Sequence, residues 1–191
     1  MTAVPIPAEL EPYLEQLVST LRRNAPIEAV YLLGSAALGA YEHGRSDVDV
    51  VAVTSRSLAQ DERRSLATAV ELLPVPARKL ELVVYPRGST RWELNLNTGE
   101  HIGVDPDAEP SFWFVLDRAI AAQHALPLAG PEWLELFEPE SDEAIEAALE
   151  QAAASDAWGE PHERALAAAR ARVWRETGRW ISKPEAAEWL A

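Results

Sequence analysis

The chain contains no cysteine, which excludes a disulfide framework and any cysteine–zinc site. It also lacks an uninterrupted apolar run of about 18 residues, so the sequence predicts no membrane span. The N-terminal stretch MTAVPIPAELEPYLEQL does not have the basic-then-apolar layout of a secretory signal peptide. Together these absences predict a cytoplasmic protein.

Basic side chains are scarce. The sequence has 17 Lys and Arg against 31 Asp and Glu, a formal net charge of −14 at pH 7. Because nucleic-acid binding needs clustered Lys and Arg, we expect no nucleic-acid partner. An acidic protein attracts cationic ligands through its overall field, although solubility alone also explains the charge. The oligomeric state stays open, with a monomer preferred.

Several common functional motifs are missing as well. The sequence contains neither a P-loop nor a G-x-G-x-x-G element. Its four histidines show no metal-binding spacing; they are His43, His101, His124 and His162. The candidate functional residues are therefore carboxylates and small polar residues.

The residue patterns divide the chain into two parts. The first half alternates predicted strands with helices, and the second half, from about residue 110, is predicted to be helical. The fold class is therefore α+β, with one domain over residues 1–108 and a helical domain over 109–191. The predicted strands cover 27–33, 47–53 and 79–85, and the predicted helices cover 8–23, 57–73, 111–126, 141–154 and 161–178.

Helix boundary signals support the helical half. Pro161 fits a first helical turn and Gly178 fits a helix end. Ser182 and Glu185 have the spacing of a capping box, which predicts a last helix after residue 182.

Two acidic residues stand at the start of an otherwise apolar strand, DVDVVAV. Since side chains alternate along a strand, Asp47 and Asp49 share one face with Val51 and Val53. Two carboxylates about 5 Å apart repel by about 3 kcal/mol at an effective dielectric constant near 20. A divalent cation such as Mg²⁺, which prefers hard oxygen ligands, would offset this repulsion. The alternative is a solvated strand end or turn, because a lone D-x-D is a weak motif.

A third carboxylate belongs to the next predicted strand, KLELVVYP. Glu81 lies on the face of Val83 and Tyr85, opposite the face of Leu80 and Leu82. If the two strands are neighbours, Glu81 faces the aspartates. Three convergent carboxylates would form a site for one or two metal ions.

Upstream of the acids, Gly34 and Ser35 end a strand and begin a short helix. Glycine lets a ligand approach the backbone, and a helix start offers unpaired N–H groups to a phosphate. Ser35 and Ser46 are candidate phosphate contacts, with a helix cap or a turn as the structural alternative.

A hydrophobic-Gly-Ser element followed about a dozen residues later by D-hydrophobic-D resembles the signature of the nucleotidyltransferase superfamily. More narrowly, the chain is similar to the aminoglycoside O-adenylyltransferases that modify streptomycin and spectinomycin. The resemblance implies a mixed-sheet domain flanked by helices, followed by a helical bundle domain shorter than in relatives. The stretches that carry it are GSAALGAYEHGRSDVDVVAV, KLELVVYPR, WELNLN, LPLAGPEWLELFEP and RETGRWISKPEAAEWL.

The resemblance implies metal-dependent transfer of AMP from ATP, a co-substrate, to a hydroxyl of an aminoglycoside-like small molecule, which gives antibiotic resistance. Asp47 and Asp49 would bind Mg²⁺, and Glu81 would be the general base and also contact the metal. Other readings are a nucleotidyltransferase with a different small-molecule acceptor, an antitoxin-type nucleotidyltransferase that modifies a partner protein, and a catalytically silent binding protein. The helical second half disfavours the antitoxin type, and the three acids disfavour a silent protein.

The resemblance also assigns contacts to both substrates. Gly34, Ser35, Ser46, Arg170 and Lys183 would meet ATP. The structural alternatives are a solvated helix face for Arg170 and an ordinary helix-start lysine for Lys183. Because the helix dipole disfavours an unpaired lysine at a helix N-terminus, this position favours an anionic partner for Lys183.

An acidic and aromatic pocket suits a polycationic acceptor, and the resemblance places Asp156, Trp158 and Glu160 in it. A solvated polar loop is the alternative. Two features depart from the family: Gly99 stands where a substrate-stacking tryptophan is expected, and the sequence stops at Ala191, where relatives continue. Both point away from a simple assignment of streptomycin or spectinomycin as the acceptor.

Overall fold

The structure, a computed structural model, describes residues 4–155 and 159–190. The described residues up to Glu109, together with Ala125–Phe137, form a first compact unit. Pro110–His124 and the described residues from Glu138 onward form a second. The sequence patterns placed 125–137 with the helices. In the structure this segment lies in the first unit, because it adds a strand to the sheet.

The first unit is built on a six-stranded sheet. Its strands are β1 (Ile27–Leu32), β2 (Val48–Thr54), β3 (Leu80–Pro86), β4 (Leu94–Asn97), β5 (His101–Gly103) and β6 (Leu126–Ala129). Their order is β5-β4-β3-β2-β1-β6. β2 and β3 are parallel, whereas the other neighbouring pairs are antiparallel. The prediction of an α+β fold with a mixed sheet is therefore confirmed.

Helices flank the sheet and make up the second unit. In the first unit they are α1 (Glu11–Asn24), α2 (Gly34–Ala37), α3 (Gln60–Glu71) and α5 (Trp133–Leu136). In the second unit they are α4 (Phe112–His124), α6 (Asp142–Ala154), α7 (Pro161–Thr177) and α8 (Lys183–Leu190). Among the described residues, none of these helices combines the length and the apolar character that a membrane span requires.

The alternation of side chains along β2 and β3 sets the core of the first unit. Val48, Val50 and Ala52 on β2 and Leu80 and Leu82 on β3 are almost completely buried. They form one apolar cluster with leucines of the flanking helices, among which are Leu17, Leu21 and Leu66. Burying these side chains is the main stabilising contribution to the unit. The intervening residues of the two strands, Asp49 and Glu81 first, face the other way.

Helix boundaries of the second unit follow the signals in the sequence. Pro161 opens α7, and Gly178 ends it in the left-handed conformation, with φ of 69°. The backbone N–H of Ser182 donates to the Glu185 carboxylate at 2.8 Å, and the Glu185 N–H donates to the Ser182 hydroxyl at 3.3 Å. The predicted capping box is therefore present at the start of α8.

Candidate functional site

The centre of the candidate site is an acidic pair on two neighbouring strands. In the parallel pairing of β2 with β3, Asp49 lies directly opposite Glu81. Both side chains are half-buried, whereas the flanking positions of each strand are buried in the core. Directly paired residues project to the same face of a sheet. The structure thus brings Asp49 and Glu81 together on the face that the alternation predicted.

Gly34 lies against the Asp49 side chain. It begins α2 with φ of +59°, and a Cβ built on it would lie 1.7 Å from Asp49 Oδ2. The adjacent Leu33 N–H donates to the Asp49 carbonyl oxygen at 2.8 Å, which holds the two segments in place. A residue with a side chain would therefore displace the Asp49 carboxylate. The glycine was predicted to let a ligand approach the backbone; the structure adds a second reason, which is the room that the Asp49 carboxylate needs.

The two candidate serines differ in their surroundings. The Ser35 hydroxyl is buried and has no hydrogen-bond partner in the described part of the chain. Leaving such a group unsatisfied costs about 1–3 kcal/mol, a cost that a hydrogen bond to a ligand would remove. The Ser46 hydroxyl instead accepts a hydrogen bond from the Glu42 N–H at 3.0 Å. Ser46 therefore has the turn role that the sequence held open as its alternative.

Asp47 immediately precedes β2 and is bound by an arginine. Arg78 Nε donates to Asp47 Oδ1 at 2.8 Å, and Arg78 Nη2 donates to Asp47 Oδ2, so the pair is bidentate. The hydrogen bond to Asp47 raises the pKa of Arg78 above its ordinary value. Both carboxylate oxygens of Asp47 thus have a cationic partner.

Glu81 also has a cationic partner. Lys79 Nζ lies 2.9 Å from Glu81 Oε1 and 2.7 Å from Glu100 Oε2. Desolvation is the largest single influence and lowers the pKa of Lys79, but the hydrogen bonds to Glu100 and Glu81 outweigh it and the pKa is raised. The ammonium is therefore charged and is shared between the Glu81 and Glu100 carboxylates.

Sequence reasoning missed these cations. Their only local signal is the pair of consecutive basic residues ahead of the acid-bearing strand, in PARKLEL. It also missed Asn97, which pairs directly with Glu81 across β3 and β4 and so lies on the same face.

The donor atoms suit a hard divalent cation, although they are not grouped around one point. In the described part of the chain, no three His, Cys, Asp or Glu side chains stand together at metal-binding spacing. Two of the candidate ligands, Asp47 and Glu81, form ion pairs with Arg78 and Lys79 instead. The oxygen ligands themselves are of the type that Mg²⁺ prefers. The candidate ligands therefore fit Mg²⁺ through the chemistry of their donor atoms, and Asp49 and Glu81 also share one face of the sheet.

The predicted ATP contacts Arg170 and Lys183 belong to the second unit. Arg170 Nε donates to the Ile181 carbonyl at 2.7 Å, and burial lowers the pKa of its guanidinium. Lys183 Nζ lies 2.5 Å from a Glu163 carboxylate oxygen. Glu163 is thus an anionic partner of Lys183 within the chain itself. Contact of either residue with ATP stays a prediction.

The predicted acceptor contacts are described only in part. Glu160 is an exposed residue at the start of α7. Asp156 and Trp158 lie outside the described residues. Gly99 has φ of +75°, and a Cβ added there would meet open space. This backbone conformation, between β4 and β5, is one that a tryptophan would rarely adopt.

Comparisons with known proteins address the family. Residues 15–101 match the family model described as polymerase beta, nucleotidyltransferase. A search of curated proteins found no match. The chain is similar in structure to the spectinomycin adenyltransferase AAD(9) from Enterococcus faecialis, solved with ATP and spectinomycin. That match has a TM-score of 0.73 and 14% identity, and covers 92% of this chain and 80% of that one.

Two toxin–antitoxin structures show lower similarity. One is the tri-AMPylated Shewanella oneidensis HEPN toxin in complex with MNT antitoxin, with a TM-score of 0.37, 13% identity, and coverage of 77% of this chain and 89% of that one. The other is a toxin–antitoxin with AMP-PNP, with a TM-score of 0.39, 15% identity, and coverage of 75% and 90%.

The family match covers the residues from which the site is built. Gly34, Ser35, Asp47, Asp49 and Glu81 all lie within residues 15–101. The mixed sheet that positions them continues beyond the match through β5 and β6. Residues 15–101, which lie in the first unit, are therefore similar to the nucleotidyltransferase family, and the chain has the fold of a nucleotidyltransferase.

Proposed function

We propose that the chain transfers AMP from ATP to a hydroxyl of a cationic, aminoglycoside-like small molecule, in a reaction that requires Mg²⁺. The observation that carries the proposal is the in-register pair of Asp49 and Glu81, packed beside a glycine that leaves room for the Asp49 carboxylate. A surface that binds no cation would only be destabilised by two acids side by side, since the two carboxylates repel each other.

In this proposal Asp47, Asp49 and Glu81 hold Mg²⁺. When bound, the metal supplies charge neutralisation at the phosphate oxygens and the pyrophosphate leaving group. The donor set supports this assignment because it consists of carboxylate oxygens alone.

The remaining chemistry belongs to the chain. Glu81 accepts the proton of the acceptor hydroxyl as its oxygen bonds to the α-phosphorus of ATP. The bond from that phosphorus to the bridging oxygen of the β-phosphate breaks, and pyrophosphate leaves. The Ser35 hydroxyl donates to a phosphate oxygen, which would satisfy a group that is otherwise unpartnered among the described residues. Arg170 and Lys183 provide further positive charge toward ATP.

The acceptor is proposed to be cationic. The formal net charge of −14 favours the approach of a polycation. Asp156, Trp158 and Glu160 are proposed to contact it, and the fold match to the spectinomycin adenyltransferase AAD(9) supports the class. Resistance to such an antibiotic and a cytoplasmic location complete the proposal.

The test is a direct search for product. The purified chain is incubated with ATP, Mg²⁺ and a panel of aminoglycosides and aminocyclitols, and each acceptor is examined by mass spectrometry for an added AMP. We expect one acceptor to gain AMP with equimolar release of pyrophosphate. Glu81→Gln should reduce turnover about 10²- to 10⁴-fold, the usual contribution of general base catalysis.

Glu71→Gln is the matched control, because Glu71 is an exposed residue at the end of α3. It makes the same chemical change without touching the site and should keep the wild-type rate. An acceptor panel that yields no adduct, or a Glu81→Gln variant as active as Glu71→Gln, would refute the proposal.

A further inference from the structure

Arg78 and Lys79 are held next to the acidic residues by main-chain hydrogen bonds. The Arg78 N–H donates to the Ser46 carbonyl at 3.2 Å, and the Val48 N–H donates to the Lys79 carbonyl at 2.9 Å. These bonds extend the β2–β3 pairing toward the residues that precede both strands. The two cations are therefore placed by the sheet itself.

Each cation binds a carboxylate assigned to the metal. Arg78 contacts both oxygens of Asp47, and Lys79 contacts one oxygen of Glu81. The Lys79 side chain is only 11% exposed, and Glu100 provides a second carboxylate for its ammonium. Bidentate and charge-assisted hydrogen bonds of this kind are stronger than bonds between neutral groups. These ion pairs offset negative charge on Asp47 and Glu81.

A divalent cation would need the same oxygens. To ligate it, a carboxylate oxygen must give up or share the lone pairs that accept from Arg78 or Lys79. A positive side chain about 5 Å away also repels the incoming ion directly. The choice of Asp47, Asp49 and Glu81 as ligands rests on the proposed function. What is added is how tightly these ligands bind a divalent cation.

We propose that Arg78 and Lys79 are positioning residues that compete with a divalent cation for the carboxylates of Asp47 and Glu81. The chain therefore binds a free divalent cation more weakly than its three carboxylates would on their own. Breaking either ion pair tightens that binding. A merely structural role predicts the reverse, because a damaged site binds metal more loosely.

The experiment titrates the full chain with Mn²⁺ in the absence of nucleotide, and follows free Mn²⁺ by electron paramagnetic resonance. Arg78→Met should lower the Kd about three- to tenfold, the effect of removing one unit charge about 5 Å away in a partly exposed site. Lys79→Met should shift it in the same direction. Arg78→Lys, which keeps the charge, should stay near the wild-type Kd.

Arg91→Met is the matched control. Arg91 forms a bidentate pair with Asp107, and its side chain is 58% exposed, compared with 57% for Arg78. The variant changes the net charge equally but removes a cation from a carboxylate not assigned to metal. We expect a Kd within about 1.5-fold of wild type, since a distant exposed charge is screened. Melting curves of all variants confirm folding.

The possible outcomes separate this inference from the proposed function. Tighter Mn²⁺ binding by Arg78→Met than by Arg91→Met supports the competition, and equal or weaker binding overturns it. Absence of Mn²⁺ binding by wild type and all variants overturns both the competition and the metal site. If wild type forms the AMP adduct while Arg78→Met binds Mn²⁺ no more tightly, the competition alone fails. If binding tightens but no acceptor gains AMP, the proposed function alone fails.

Discussion

Gly34→Ala is the most direct test of how the site is built. The substitution adds one methyl group at the start of α2, where the structure leaves no room for it. The new Cβ would lie 1.7 Å from Asp49 Oδ2, 2.5 Å from Asp49 Cγ and 3.0 Å from Asp49 Cβ. The nearest atoms belong to a side-chain end, so rotation of the Asp49 carboxylate relieves most of the overlap. The cost therefore appears in both stability and activity.

The size of the stability effect follows from two contributions. An alanine at φ of +59° costs about 1 kcal/mol relative to glycine, because the left-handed region crowds Cβ. Moving Asp49 out of its position adds about 1 kcal/mol, the usual cost of a strained rotamer. A total of about 2 kcal/mol corresponds to a fall in melting temperature of about 4–8 °C for a chain of this size.

Gly88→Ala separates the two contributions. Gly88 has φ of +73°, and a Cβ added there meets nothing within 4 Å. This control therefore carries the backbone cost without displacing a neighbour. We expect it to lose about 1 kcal/mol and to keep the wild-type rate of AMP transfer. Gly34→Ala should lose about twice as much free energy of unfolding as Gly88→Ala. Its turnover should fall at least about 100-fold, because displacing a metal ligand by about 1 Å has an effect of that size.

The assays are urea unfolding and the mass-spectrometric transfer reaction. A cycle with Asp49→Ala completes the test, because truncating Asp49 removes the two closest atoms. In that background Gly34→Ala should cost no more than Gly88→Ala. The reasoning is refuted if Gly34→Ala and Gly88→Ala are equally stable and equally active, because Gly34 would then be needed only for its backbone angle.

Three further predictions concern single groups. Ser35→Ala should leave the free energy of unfolding unchanged or raise it by up to about 1 kcal/mol, because it removes a buried hydroxyl that lacks a partner among the described residues. The KM for ATP should rise. A loss above about 1 kcal/mol in urea unfolding would contradict this. Hydrogen bonds from Arg56 and from the Ala59 N–H lower the pKa of Glu62 to about 2. The stabilising effect of Glu62 is therefore present above its ordinary pKa of 4.5 and is lost as the pH falls from 4.5 toward 2. An NMR titration that places the pKa of Glu62 near 4.5 would disprove this. Ser182→Ala should cost about 1 kcal/mol and raise the pKa of Glu185, which the Ser182 N–H and hydroxyl hold below its usual range; an unchanged melting temperature would count against this cap.

The acidic pair could be predicted because its signal is local. Residues 47–53 and 79–85 each turn apolar within two residues of an acid, and strand alternation then fixes which side chains share a face. Only one further assumption, that the two strands are neighbours, was needed to bring Glu81 beside Asp49. The structure supplies it through the parallel β2–β3 register.

Other features could not be predicted because their cause is distant in the sequence. Arg78 and Asp47 are separated by 31 positions, and no spacing rule connects an arginine to an aspartate so far away. β6 has four residues, too few to show a period, and is a strand because β1 offers it a free edge. The segment that contains it therefore read as part of the helical half.

The repulsion between Asp47 and Asp49 has two possible compensations, and the structure shows one of them. The sequence suggested a divalent cation, whereas the structure shows that Arg78 holds Asp47 and Lys79 holds Glu81. Arg78 is 57% exposed, and the Lys79 ammonium is shared between Glu81 and Glu100, so this compensation is partial against a repulsion of about 3 kcal/mol. The acids therefore keep electrostatic energy that a bound divalent cation would release. Because its own side chains neutralise the site only partly, metal binding stays favourable, and its affinity depends on the neighbouring cations. Substitutions at Arg78 should therefore change Mn²⁺ affinity more than the free energy of unfolding.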